Sequence, residues 1–221
     1  MSTTLELLSQ CVEFGKINKN SPYPPSMRGQ DGADEYTRLA LEEGVLPGEI
    51  LDALIPAMTN VGFKFSQNKI FIPEMLMAAK AMSEAMKHLK PFFVSGDVQR
   101  KGVFILGTVF GDLHDIGKNL VGMMIEGAGW EVIDLGADVK TERFLLEVAK
   151  NPGCVVGLSA LLTTTMTHME TIVKAIKQQS PDTKVIVGGA PLSMDYSQSI
   201  GADFYARDPQ GAVVYLEKLV A

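Results

Sequence analysis

Cysteine is almost absent from this chain. The two that occur, Cys11 and Cys154, stand far apart, without the close spacing of a metal-ligand set. That argues against a disulfide scaffold or a zinc ribbon and leads to the expectation of a protein of the reducing cytoplasm. Positive charge is also short: 20 Lys and Arg face 26 Asp and Glu, a net charge of −6. A general phosphate-backbone binder needs a basic face, so no nucleic-acid partner is expected. No apolar run approaches the roughly 20 residues that cross a bilayer. Met1 to Glu13 show no basic stretch followed by an apolar one, so neither a membrane span nor a signal peptide is expected. Internal repeats and low-complexity tracts are lacking as well. What remains is ordinary globular composition, 46% hydrophobic and 21% charged, enough to bury a core. The 12 methionines read mainly as soft core filler.

Periodicity divides the chain. Residues 1–90 read as helical. Thr3 or Thr4 can cap a first helix carrying Leu5, Leu8 and Val12 on one face and ending near Gly15. The proline-rich stretch inside Lys16 to Gln30 reads as a loop. A second helix spans about Gly32 to Glu43 and stops at Gly44. A third starts at Pro47 with a kink expected at Pro56. A fourth starts at Pro73, with Met75, Ala79, Met82, Met86 and Leu89 along one seam. Four such helices suggest a bundle. From residue 91 to 221, short apolar runs alternate with helices. Strands are expected at 103–107, 131–134, 154–158, 184–188 and 203–205, with helices near 117–127, 141–149, 164–179, 193–199 and 209–219. Alternation of this kind, with strands apolar on both sides, predicts a doubly wound α/β domain on a parallel sheet. Ligands in that architecture sit at the carboxyl ends of the strands. Pro91, Gly96 and Asp97 place the boundary near 90–99.

The residues after the strands carry the chemistry. The first strand is followed by Gly111-Asp112-Leu113-His114-Asp115-Ile116-Gly117. Nucleotide-binding folds place glycines at this turn to bring amides to phosphate; a histidine there is unusual. Two residues apart, Asp112 can reach one ring nitrogen of His114, fixing the tautomer and freeing the other nitrogen. That suits a metal ligand or a general base; a solvent-facing capping histidine with two turn residues is the bland reading. After the third strand comes Ser159-Ala160-Leu161-Leu162-Thr163-Thr164-Thr165, hydroxyls that can cap a helix or bind a polar ligand. After the fourth come Gly188 and Gly189, which permit close approach to the backbone or simply a tight turn. The fifth strand ends in Tyr205 to Asp208, which can floor the same cleft. His88 and His168 read as helix-surface residues, since neither has an acid nearby at metal spacing. Lys118 and Asn119 open the helix after the site.

These three motifs, in this order and spacing, resemble the corrinoid proteins of methyltransferase systems, and the second half is similar to the cobalamin-binding module of methionine synthase. The likeness extends into the helices through Leu54-Ile55-Pro56-Ala57-Met58 and Phe71-Ile72-Pro73-Glu74-Met75-Leu76. It implies a helical cap domain ahead of a Rossmann- or flavodoxin-like cobalamin domain. It implies cobalamin bound base-off, with its benzimidazole tail in a slot and His114 as the lower axial ligand of cobalt. Asp112 and Thr165 would complete a relay to His114; methionine synthase has a serine where Thr165 stands. Ser159 and Thr163 would contact the tail, Lys118 and Asn119 with them, while Gly117, Gly188 and Gly189 make room. Phe71 and Met75 would shield the upper corrin face, in a cap that moves to admit partners. The implied function is a methyl carrier, a subunit that completes no turnover alone. Its implied partners are a substrate-specific methyltransferase, an acceptor methyltransferase serving tetrahydrofolate or coenzyme M, and a reductive activase. The competing readings are a cobalamin-dependent sensor, a radical-mutase subunit, and a flavodoxin-like module without corrin.

Overall fold

The computed structural model describes residues 3–220. The chain divides into two compact units, Met1–Arg100 with Glu126–Gly129, and Lys101–Ile125 with Trp130–Ala221. Among the described residues, no helix is long and apolar enough to cross a membrane.

The first unit is helical: α1 Thr3–Phe14, α2 Ala33–Glu42, α3 Pro47–Ser66 and α4 Ile72–Ser95. Thr4 does not act as a cap; it is buried inside α1 and its hydroxyl donates to Glu43 at 2.9 Å. Met75, Ala79, Met82, Met86 and Leu89 form the buried seam of α4. Two prolines fail to break their helices. Pro56 sits within α3, and α4 runs through Lys90 and Pro91 to Ser95, so the boundary expected at residue 90 falls inside a helix. Both prolines are exposed, as are Asp52 and Lys87 four residues earlier. The carbonyls deprived of an N–H partner therefore belong to residues on the wet side, where water can serve them. Gly96, at φ +85°, ends α4 in the left-handed conformation that glycine adopts without cost. The 16–30 segment holds one 3₁₀ turn, Pro25–Met27. It is anchored by Lys16, which is fully buried and donates its ammonium to the carbonyl of Ser21 at 2.9 Å.

The second unit alternates β1 Val103–Thr108, α5 Ile116–Gly127, β2 Glu131–Asp134, α6 Thr141–Lys150, β3 Val155–Ser159, α7 Met166–Gln179, β4 Lys184–Gly188, α8 Met194–Ser199, β5 Phe204–Ala206 and α9 Pro209–Val220. The five strands are parallel in the order β2-β1-β3-β4-β5. Ile105, Val156, Leu158, Val185 and Val187 pack on one face with Phe144 of α6 and Met169, Ile172 and Ile176 of α7. The strand order reverses between β1 and β3, so the loops after these strands diverge and leave a crevice at their carboxyl ends.

Candidate corrinoid site

The two loops at this switch point meet on one carboxylate. Asp112, fully buried at 0% exposure, receives hydrogen bonds from both. Its Oδ2 accepts from the backbone amides of Leu161 at 2.7 Å and Leu162 at 3.1 Å, and from Thr165 Oγ1 at 2.8 Å. Its Oδ1 accepts from the amide of His114 at 3.1 Å and lies 2.8 Å from His114 Nδ1. Burial alone raises the pKa of Asp112. The bonds from Leu161, His114 and Thr165 together outweigh that and hold the carboxyl well below the usual carboxylate range. An ionised carboxylate only accepts, so Nδ1 carries the ring proton. Nε2 then keeps its lone pair, and it hydrogen-bonds to no described residue. Half of the His114 side chain is exposed.

The loop is braced from several sides. Thr108, the last residue of β1, donates its hydroxyl to the carbonyl of His114 at 3.0 Å. Asp138 accepts from the amide of Gly111 at 2.7 Å and donates its own amide to the Asp112 carbonyl at 3.0 Å. Lys118, 2% exposed, bonds through its ammonium to Asp134 and, at 2.7 Å, to Asn119 Oδ1. Asn119 Nδ2 reaches Asp115 at 3.1 Å. Lys118 and Asn119, read from sequence as contacts for the tail, are thus engaged in tying the start of α5 to the end of β2. Around His114 stand exposed apolar side chains: Leu113 at 76% exposure, Ile116, Leu161, Leu162 and Phe110. Such a collar is unusual on a soluble surface unless something covers it.

The remaining residues singled out from sequence sort as follows. Ser159 and Gly188 end β3 and β4 and face each other in register. Gly189 has φ +139°, and a Cβ there would stand 1.8 Å from the carbonyl oxygen of Ala160, so no side chain fits. Gly117 lies in open space, where a Cβ meets nothing within 4 Å, so close packing does not require a glycine there. Thr163 is exposed between β3 and α7. Met75 is fully buried and has no surface to offer a ligand, whereas Phe71 is exposed. His168 sets its ring edge-on to Phe110, centroids 5.2 Å apart. His88 does have an acid partner, Asp34 Oδ1 at 2.6 Å, which lies 54 residues away and so escaped a reading by spacing. Sequence reasoning also missed the amides of Leu161 and Leu162, because a backbone donor carries no residue signature.

Among the described residues, no group of three or more His, Cys, Asp or Glu is placed to hold an ion. A lone imidazole fits a metal that arrives already ligated in a plane, and the apolar collar fits the underside of a flat macrocycle.

Comparison with known proteins agrees. A B12-binding domain family matches residues 102–214, and a second B12-binding domain family matches residues 29–90. The chain is 38% identical over 179 residues to dimethylamine corrinoid protein 1 of Methanosarcina acetivorans, covering 79% of this chain and 84% of that one. A cobalamin-binding protein from Desulfitobacterium hafniense superposes with a TM-score of 0.75 at 29% identity, covering 98% of each chain. The methanol:cobalamin methyltransferase complex of Methanosarcina barkeri gives a TM-score of 0.82 at 25% identity, covering 99% of this chain and 80% of that one. A buried carboxylate that orients one imidazole at the switch point of a parallel sheet, in a chain matched so fully by these relatives, makes the protein a member of the B12-binding corrinoid proteins of methyltransferase systems.

Proposed function

We propose that this chain is a methyl carrier that holds a cobalamin-type corrinoid base-off, with His114 Nε2 as the lower axial donor to cobalt. The single observation that carries the reading is the ionised, fully buried Asp112, which fixes the proton on Nδ1 and turns a free Nε2 outward. When bound, the corrinoid supplies a strongly nucleophilic reduced cobalt that accepts and releases a methyl group. The protein supplies everything around it. Asp112 keeps the imidazole oriented and raises its basicity. Thr165, with one hydroxyl proton, donates to Asp112 and limits how much negative charge the ring feels. Leu113, Ile116, Leu161 and Leu162 exclude water from the lower face. Ser159, Thr163, Gly188 and Gly189 line the slot for the tail.

The carrier works between two enzymes. One, substrate-specific, loads the methyl group; the relatives named for dimethylamine and for methanol systems point to a small methylated amine or alcohol as the donor class. A second passes it to an acceptor such as tetrahydrofolate or coenzyme M, and a reductive activase restores oxidised cobalt. A sensor role gains nothing from the comparisons. Reconstitution with cobalamin tests the proposal: the visible spectrum should be that of a base-off corrinoid with a histidine ligand. The His114→Ala protein should bind corrinoid yet show a different axial ligation. An unchanged spectrum in that variant would remove His114 from the role.

A further inference from the structure

Four residues stand in one register row along the carboxyl edge of the sheet. Thr108 of β1 pairs with Ser159 of β3, Ser159 with Gly188 of β4, and Gly188 with Ala206 of β5. Side chains alternate between faces along a strand, so the residues two positions earlier show which face the row occupies. Leu106 lies under α5, where a Cβ on Gly122 would approach it to 3.1 Å, and Phe204 stacks on Tyr215 of α9 at 4.4 Å. The row therefore belongs to the face covered by α5 and α9, opposite the α6–α7 core. On that face every member is a hydroxyl or nothing larger than a methyl. α9 begins at this same edge, because it follows β5.

In the first turn of α9, on the buried stripe it shares with Val213, sits Gln210. It is 3% exposed, and neither its Oε1 nor its Nε2 has a hydrogen-bond partner among the described residues. A glutamine amide is both donor and acceptor. Buried side chains of this kind are nearly always paired, so an orphan on both atoms marks a missing partner. Asp208, two residues earlier, is engaged elsewhere: its Oδ1 accepts from the amide of Gly211 at 2.8 Å.

We infer that Gln210 is a specificity contact for the nucleotide tail of the corrinoid, its amide pairing with a ribose hydroxyl in the slot between the small-residue row and α9. A hydroxyl both donates and accepts, which answers the two orphaned atoms with one group. The inference rests on the proposed base-off binding mode, because only then does the tail leave cobalt and enter this face of the sheet.

Two probes separate the inference from that mode: aquacobalamin, and cobinamide, which has the corrin but no nucleotide. Cofactor-free wild type and Gln210→Leu are titrated with each and followed by visible absorbance. Wild type should prefer cobalamin. Gln210→Leu should bind cobalamin about tenfold more weakly, the ratio equivalent to about 1.4 kcal/mol, with cobinamide affinity unchanged. The cofactor-free variant should melt no lower than wild type, since a leucine leaves no orphaned amide. Equal weakening toward both probes, or undiminished cobalamin affinity, overturns the role of Gln210 and leaves the tail slot standing. A wild type that binds both probes equally overturns the slot and this contact together.

Discussion

Asp112→Asn is the most revealing perturbation, because it changes one atom at the meeting point of five donors. Asparagine has one oxygen. Set at the Oδ2 position, it keeps Leu161 N, Leu162 N and Thr165 Oγ1 at 2.7, 3.1 and 2.8 Å, now as neutral bonds. Its NH₂ then faces the backbone amide of His114 at 3.1 Å and Nδ1 at 2.8 Å. The backbone N–H cannot reverse its polarity, so a donor meets a donor. The ring can reverse, by moving its proton to Nε2. The flipped amide is worse, because it sets NH₂ against two amides and a hydroxyl. Hydrogen bonds to a charged group contribute about 1.5–3 kcal/mol and neutral ones about 1, so weakening this set and stranding the half-buried amide of His114 costs about 2–4 kcal/mol overall. Urea unfolding of the cofactor-free protein at pH 7 measures the loss, and ¹⁵N NMR of the His114 ring reads the tautomer. Burial raises the pKa of Asp112, but its hydrogen bonds bring it below the unfolded value of about 3.9. Its stabilisation is therefore complete above that value and is lost as pH falls through the folded pKa. The gap between wild type and variant should hold from pH 7 to about 5 and narrow only below about 4. A loss under about 0.5 kcal/mol, the scatter of an ordinary surface change, or a ring that keeps its proton on Nδ1, would refute the reasoning.

Two further outcomes follow from the same structure. Gly189→Ala places a Cβ 1.8 Å from the Ala160 carbonyl oxygen at a φ of +139°, so the cofactor-free protein should lose about 2 kcal/mol or more in urea unfolding; an unchanged midpoint would show that the β4 turn relaxes freely. Burial pushes the Cys11 thiol up to about 12 and raises that of Cys154 as well. An aromatic disulfide reagent at pH 8 should thus label neither until urea unfolds the chain, and fast native labelling of two thiols would contradict that burial.

The parallel sheet was legible because its central strands β1, β3 and β4 are buried on both faces and read as apolar runs; β3 and β5 each lie one residue later than the pattern suggested. α4 runs past the 90–91 division for a reason local to Pro91. A proline reads as a breaker, but on the exposed side of α4 its missing bond costs little, and only Gly96 stops the helix. The Asp112–His114 contact was legible because both partners lie within one short loop. The rest of that carboxylate's partners come from about fifty residues on and, at Leu161 and Leu162, from backbone that any residue presents. Buried Lys16 and Gln210 escaped notice because long polar side chains usually face water, and only packing reveals when they do not.

The most direct test of the central claim is the electron paramagnetic resonance spectrum of the cobalt(II) form. The protein is made with ¹⁵N-histidine and reconstituted with unlabelled cobalamin. The superhyperfine splitting from the axial nitrogen should change from the triplet of ¹⁴N to the doublet of ¹⁵N, and the doublet should vanish in His114→Ala. A triplet that ignores the protein label would mean that benzimidazole stays on cobalt, and would contradict the role given to His114.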